Sequence, residues 1–369
     1  MKIFLTSDVH LGMKFAGYPD IRDRLVQARF DALQRCVGQA NQNNCDAFII
    51  AGDLFDRVNV AKKDVQKAAA ILLEFEGNLT AVLPGNHDYV TPGQEGLWDS
   101  FKTYSDNKIL VLDACETYPL KHYDLDCILY AAPCFSKHSN KNQVGWVKAE
   151  QKDKAVRYHL GVAHGSLKGL SIDFNQDYYP MNAIELKACG LDLWLMGHTH
   201  IPYPEKPGSN STIFYPGTPE PDGFDCRHSG RALILDIDHQ KHVKATSLNT
   251  GAFLFAHEYG DVTKIGDLDK WLATYLTPEH ENTLLKLKIK GRLKSDEFDA
   301  LPEIQQRFKN NLLYFKLDMS DLSKKIDPDE IDRFFSARSF PHRLLSTFTK
   351  NNDHEALQIT FDLLQEIRK

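Results

Sequence analysis

Nowhere does this sequence come near the roughly 20 consecutive apolar residues that a membrane-spanning helix requires, so no membrane partner is expected. Its first ten residues, MKIFLTSDVH, hold one Lys, a short apolar run and then acids, without the apolar segment and small-residue cleavage site of a secretory signal. The cysteines number seven, scattered and without a C-x-x-C pair. That pattern argues against a disulfide framework and for reduced thiols, which predicts a cytoplasmic location. Positive charge is not in excess either: 44 Lys and Arg stand against 50 Asp and Glu, a formal net charge of −6. Bulk electrostatics therefore cannot hold a nucleic acid, and any such contact has to come from a local basic patch. Internal repeats and low-complexity tracts are missing as well.

What is there is ordinary for a soluble globular chain, 42% hydrophobic and 25% charged, and at 369 residues it is long enough for two domains. Short apolar runs predict strands at 2–6, 46–51, 79–83, 109–112, 127–132, 160–164, 192–196, 212–216 and 231–237. Helical spacing runs from Ile21 to Gln42, with Leu25, Ala28, Leu33 and Val37 near one face, and from Lys62 to Glu76. Strands alternating with helices predict an α/β domain over 1–255. A segment with its own strand and helix signals follows over 256–325, and a helical segment over 326–369.

The chemistry is concentrated where strands end. The run CDAFIIAGDLFDR passes from a buried strand straight into Asp53 and Asp56. Carboxylates at the mouth of a core sheet are tolerated only when paired or bound to a metal. Other strand ends supply the partners: SDVH gives Asp8 and His10, PGNHD gives Asn86, His87 and Asp88, AHGS gives His164, and GHTH gives His198 and His200. Each is weak singly, since a His after a strand is usually an ordinary loop residue and Asn and Gly favour turns. Five strands delivering Asp, Asn and His to one edge form the layout of a metal site at the carboxyl ends of an α/β sheet.

The series D-x-H, G-D-x-x-D, G-N-H-D, H and G-H-x-H, covering roughly residues 1–240, resembles that of the calcineurin-like metallophosphoesterases. The resemblance implies a four-layer α/β/β/α sandwich with a smaller C-terminal α+β cap domain and terminal helices. It implies two divalent ions, one on Asp8, His10, Asp53 and His200 and the other on Asp53, Asn86, His164 and His198, with Asp53 bridging. Two metals about 3.5–4 Å apart can clamp a phosphate and activate the attacking water. In this scheme His87 protonates the leaving group or stabilises the transition state, Asp88 orients His87, and Asp56 orients a histidine without being a ligand. Mixed N/O ligands suit first-row divalent ions. The nuclease branch implies Mn²⁺, while Zn²⁺ and Fe²⁺ fit the same donors.

Within that superfamily, GNHD differs from the GNHE of protein phosphatases, and YPGTPEPDGFD at 215–225 resembles the PGS element of SbcD-type DNA repair nucleases, with Thr218 in place of Ser. The acid at Asp56 matches bacterial members of that branch. The implied function is phosphodiester hydrolysis on DNA as a nuclease subunit. A small-nucleotide phosphodiesterase or phosphatase is the alternative, and a DNA-clamping accessory subunit of a coiled-coil ATPase is another. The implied partners are DNA, a coiled-coil SMC-like ATPase and a second copy of the chain.

Two features lie beyond those motifs. In LLKLKIKGRLK, residues 284–294, Leu285, Leu287, Ile289 and Leu293 alternate with Lys286, Lys288, Lys290, Arg292 and Lys294. A strand there would present five cations on one face. Five phosphate contacts would give a salt slope of about −4.5 on duplex DNA; the competing reading is an edge strand guarded by lysines. The tail predicts a pair of helices: Asp327 as N-cap with Pro328 and Glu330 behind it and an apolar stripe of Ile331, Phe334 and Phe335, then Leu357, Phe361 and Leu364. In SbcD-like proteins such a tail binds the base of a coiled-coil ATPase; packing on the chain's own cap domain is the alternative.

Overall fold

Strands apolar on both faces begin the fold. Lys2–Thr6 (β1), Ala47–Ala51 (β2) and Leu79–Leu83 (β3) bury every residue but Lys2, which requires a layer on either side. They pair in parallel, with Ile3 opposite Ala47 and Ala47 opposite Leu79. Leu110–Val111 (β4) extends this sheet past β3. Antiparallel Arg231–Ile237 (β10) and Val243–Asn249 (β11) extend it past β1, for the order β11-β10-β1-β2-β3-β4. A second sheet holds Thr117–Pro119 (β5), Cys127–Ala132 (β6), Tyr158–His164 (β7), Leu193–Gly197 (β8) and Ile213–Phe214 (β9) in that order, parallel except for β5.

Three apolar layers hold these sheets. Helices Arg22–Gln42 (α1), Lys62–Leu72 (α2) and Leu97–Tyr104 (α3) set Leu33, Val65 and Phe101 against Phe4, Phe48 and Val82. Ile3, Leu5 and Ile49 meet Leu129, Leu160 and Leu195 between the sheets. Leu186 of Ala183–Ala188 (α4), with Val144 and Leu167, covers Trp194 and Met196 on the far side. The result is the α/β/β/α sandwich. The computed structural model describes residues 1–93, 96–149, 152–171, 173, 175–206, 211–226 and 228–367, and divides into two units, Met1–Phe255 and Ala256–Lys369.

Some element bounds differ from the sequence reading. Helix α2 stops at Leu72 rather than Glu76: the amides of Glu74 and Phe75 turn back onto the Ile71 and Leu72 carbonyls, and Phe75 packs on Phe48 at 5.7 Å between ring centres. β4 and β9, at sheet edges, pair over only two residues each, shorter than the apolar runs predict.

Leu254–Val262 (β12), whose residues from Ala256 on belong to the second unit, Thr283–Leu293 (β13) and Tyr314–Lys324 (β14) form a sheet in that order. β13 is central, which overturns the edge-strand reading of its lysines. Leu285, Leu287, Ile289 and Leu293 are buried against Trp271 of Asp269–Tyr275 (α5) and Phe308 of Leu301–Asn311 (α7). Across β14, Lys286 lies opposite Lys316, Lys288 opposite Asp318, Lys290 opposite Asp321 and Arg292 opposite Ser323. Lys288 Nζ is 2.9 Å from Asp321 and Lys290 Nζ 3.3 Å from Asp261. Lys294 lies past the strand, as the residue preceding Ser295–Asp299 (α6). The predicted row of five cations is therefore interrupted: Lys294 lies beyond the strand, and acids on β12 and β14 compensate Lys288 and Lys290.

The tail forms three helices rather than two: Pro328–Phe334 (α8), Phe340–Lys350 (α9) and His354–Ile367 (α10). Asp327 accepts from the Glu330 amide at 3.0 Å, and Ser339 caps α9 in the same way from His342 at 3.3 Å. Ile331, Phe335, Leu345, Leu357 and Phe361 close on one another as a small core. Among the described residues, no helix is long and apolar enough to cross a membrane.

Candidate metal centre

The carboxyl ends of β1, β2 and β3 in one sheet and of β7 and β8 in the other supply all seven proposed ligands. Beyond the strands the loops stay paired: the Asp8 amide donates to the Gly52 carbonyl at 3.1 Å and that of His10 to Asp53 at 3.0 Å. Asp8, His10, Asp53 and His198 have left-handed φ of 56°, 49°, 54° and 98°. Four non-glycine residues in that strained region within one cluster are the mark of a functional site. Two glycines let the loops close: a Cβ on Gly52 would strike the His164 ring, and one on Gly85 the Asp53 carboxylate.

The side chains converge in two groups. His10 Nε2 faces His200 Nε2 at 3.2 Å, with Asp53 Oδ2 3.7 Å from the first and Asp8 Oδ1 3.9 Å from the second. His164 Nε2 is 3.2 Å from Asp53 Oδ2 and 3.0 Å from Asn86 Oδ1, and His198 Nδ1 is 3.1 Å from the same amide oxygen. Asp53 belongs to both groups. Donor placement away from the centre fixes these tautomers. His164 Nδ1 lies 2.9 Å from the Ala51 carbonyl and His200 Nδ1 3.2 Å from Asp222, so in each ring Nδ1–H is held outward and Nε2 is the atom that loses its proton to a cation. The Asn86 Nδ2 donates to the Lys137 carbonyl at 3.3 Å, which turns Oδ1 inward.

The charges agree with this donor set. Burial pushes the Asp53 carboxyl up, but His164, His10 and His87 more than offset it and hold it below the ordinary range. Burial pushes His164 down, yet Asp53 carries it up to about 9. Burial also lowers His200, and Asp222 more than reverses it. Burial, then the charge of His164, takes His198 down to about 3, and burial depresses His10, so both are neutral donors. A buried cluster in which Asp53 is ionised, His10 and His198 are neutral, and His164 and His200 take up protons that a cation would displace is suited to divalent ions. Asp8, His10 and His200 form one group with metal-ligating reach, and Asp8, Asp53 and His164 another.

Two sequence-derived roles are corrected. Asp88 does not touch His87: its carboxylate accepts from the amides of Phe55 at 2.9 Å and Gly85 at 2.7 Å and pins the β3 turn. Burial, reinforced by Asp53, pushes its pKa up to about 8. The Asp56 carboxylate pairs with Arg57 and lies 3.9 Å from His10 Nδ1, beyond hydrogen-bond reach. What touches a histidine is the Asp56 main chain, whose carbonyl is 3.0 Å from His87 Nδ1. His87 stands edge-on to His10 at 4.7 Å, with its amide on Asp53 Oδ1 at 2.8 Å.

Two site residues escaped the sequence reading. Asp222, behind His200, lies in the YPGTPEPDGFD loop. An acid following the last His motif was the available signal. Arg29, 1% exposed, donates to the carbonyls of Val9 at 2.5 Å, Asp8 at 3.2 Å and Glu220 at 3.2 Å. The Thr218 hydroxyl sits 2.9 Å from that Asp8 carbonyl. The PGT element and helix α1 thus clamp the loop that carries Asp8 and His10. An Arg inside the apolar stripe of Leu25 and Leu33 was the signal there.

The chain is 23% identical over 205 residues to the uncharacterized metallophosphoesterase YhaO of Bacillus subtilis, covering 53% of this chain and 47% of that one. It is 24% identical over 234 residues to the DNA double-strand break repair protein Mre11 of Methanopyrus kandleri, covering 61% and 50%. Over 91 residues it is 31% identical to the Mre11 of Aeropyrum pernix, covering 25% and 21%. The chain thus matches about half or less of the length of these curated relatives. Residues 1–202, which contain every ligand from Asp8 to His200, match the calcineurin-like phosphoesterase family, and the chain belongs to it.

Proposed function

We propose that this chain hydrolyses phosphodiester bonds in DNA, as the nuclease subunit of a DNA repair or processing assembly. The observation that carries the phosphoesterase part is the convergence of seven Asp, Asn and His donors, Asp53 at their centre, with His87 beside them. DNA as substrate is supported by the similarity to two archaeal Mre11 proteins and by the PGT loop that braces Asp8.

Asp8, His10, Asp53 and His200 would hold one divalent ion, and Asp53, Asn86, His164 and His198 a second, with Mn²⁺ the ion proposed. Bound there, such ions activate water and offset charge on the phosphate. The protein supplies positioning. Asp222 and the Ala51 carbonyl hold two imidazoles with Nε2 inward, and Arg29 and Thr218 fix the Asp8 loop. His87, with Nδ1 on a carbonyl that can only accept, carries its proton there; when charged it donates from Nε2 to a leaving oxygen. Asp56 contributes through its carbonyl. On α10, Ile359, Leu363 and Ile367 are 54%, 54% and 81% exposed and form an apolar stripe, proposed to receive the coiled-coil ATPase.

The test is purified protein with Mn²⁺ or EDTA on end-labelled duplex and single-stranded DNA, alongside bis-p-nitrophenyl phosphate. Metal-dependent cleavage of both DNA and the small diester is expected. Turnover of the small diester with intact DNA would replace this reading by a small-nucleotide phosphodiesterase.

A further inference from the structure

The cations of β13 do not share one fate. Lys288 and Lys290 are matched by Asp321 and Asp261. Between them the pairing with β14 shifts register, and such an irregularity increases local twist. Past it, Arg292 faces Ser323, a hydroxyl rather than an acid. Among the described residues, neither Arg292 nor Lys325 has an ion-pair partner. Both line one cavity of about 720 Å³, with Lys290, Ser323 and His354. The acids in its wall, Asp261 and Asp321, are the two already engaged by lysines. Gly291 has φ +132°, and a Cβ there would strike the Val262 carbonyl. The cavity is thus built where two backbones come close.

From this geometry we infer that the Arg292 end of β13 is a phosphate-binding site that receives the backbone of a nucleic-acid strand. Arg292 offers a planar fork of donors that fits two phosphate oxygens, Lys325 adds a point charge, and Ser323 a hydroxyl. A second cavity of about 260 Å³ shares Lys290 and Asp261 with the first and is lined by Tyr259, a residue 65% exposed whose ring lies against His257 at 4.5 Å between centres. A phosphate held by Arg292 therefore has an exposed aromatic face nearby for an unpaired base, the combination that single-strand sites use. The site lies wholly within the second unit. Its choice of a nucleic-acid strand rests on the reading of DNA as substrate.

The test measures binding of a labelled oligonucleotide in EDTA by fluorescence anisotropy at several salt concentrations. In the variant Arg292→Gln with Lys325→Gln, the salt slope is expected to fall by about 1.4 on single strands and about 1.8 on duplex. Lys288→Gln with Lys290→Gln is expected to change it less, and Tyr259→Ala to weaken single-strand binding about 5- to 100-fold at unchanged slope. Turnover of bis-p-nitrophenyl phosphate and melting temperature stay at wild type in all three, which excludes misfolding as the cause. An unchanged slope in the Arg292 and Lys325 variant overturns the site. A larger fall from the Lys288 and Lys290 variant does so too. Titration with a mononucleotide separates the sources: binding that needs Arg292 and Lys325, with no oligonucleotide binding, overturns the strand assignment. Binding through these residues with no Mn²⁺-dependent cleavage of DNA would sink the nuclease reading and leave the site. Cleavage with an unchanged slope would do the reverse.

Discussion

Asp53 gathers more of the site than any neighbour: His164 and His10 lie near Oδ2, and the His87 amide bonds Oδ1. Removing its carboxylate takes a donor from both proposed ions. Asp53→Ala is expected to lose both, and Asp222→Asn, which keeps shape and loses charge behind His200, to weaken one of them about 10–100-fold. Metal content after dialysis, measured by plasma mass spectrometry, decides this; two ions retained in Asp53→Ala would refute the shared carboxylate. His87 is expected to behave differently. His87→Ala keeps its metal and loses about 10²–10⁴-fold in turnover on DNA if it donates a proton. The loss shrinks on p-nitrophenyl substrates, whose leaving group needs none, and an equal loss on both would reject the acid role. The ligands were legible in sequence because each follows an apolar strand and a turn. Asp222, Arg29 and the altered roles of Asp56 and Asp88 were not, because they depend on which atom of a residue, side chain or carbonyl, meets a partner far along the chain.

At the scale of elements, the strand alternation of β13 was readable and its electrostatics were not. Period two says that Leu285 and Leu287 go in and Lys286 and Lys288 out. It does not say that parallel pairing brings Asp318 and Asp321 beside two of the lysines. Helix α9 was missed although Ser339 and Pro341 supply a start signal like that of Asp327 and Pro328, and Leu345 and Phe348 supply an apolar face. Gly291 offers a test of how tightly β13 is built. Its φ of +132° and the backbone oxygen of Val262 leave no room for a methyl group. Gly291→Ala is expected to destabilise the second unit by about 1–3 kcal/mol or more. Gly17→Ala, where a Cβ would meet nothing within 4 Å, is the matched control. Urea melts of both variants measure the difference, and equal midpoints would show that the strand tolerates the substitution by shifting.

For the whole molecule, the question is where metal binding is felt. The two units each have their own apolar clusters: Leu33, Leu160 and Trp194 mark those of the first, and Trp271, Phe308 and Leu345 those of the second. All seven proposed ligands lie in the first. Stripping the ions would leave Asp8 and Asp53, 0% and 1% exposed, with imidazoles and a few neutral hydrogen-bond donors to offset them. A ligand at 100 times its dissociation constant stabilises the state that binds it by about 2.7 kcal/mol. For a unit of this size that corresponds to a shift on the order of 5–10 °C. Calorimetry is therefore expected to resolve two transitions. EDTA should lower the one that belongs to residues 1–255 and leave the other in place, and Asp53→Ala should abolish the EDTA effect while Gly291→Ala moves only the second transition. One cooperative transition, or two that fall together on chelation, would mean that the metal centre stabilises residues well beyond the unit that carries its ligands.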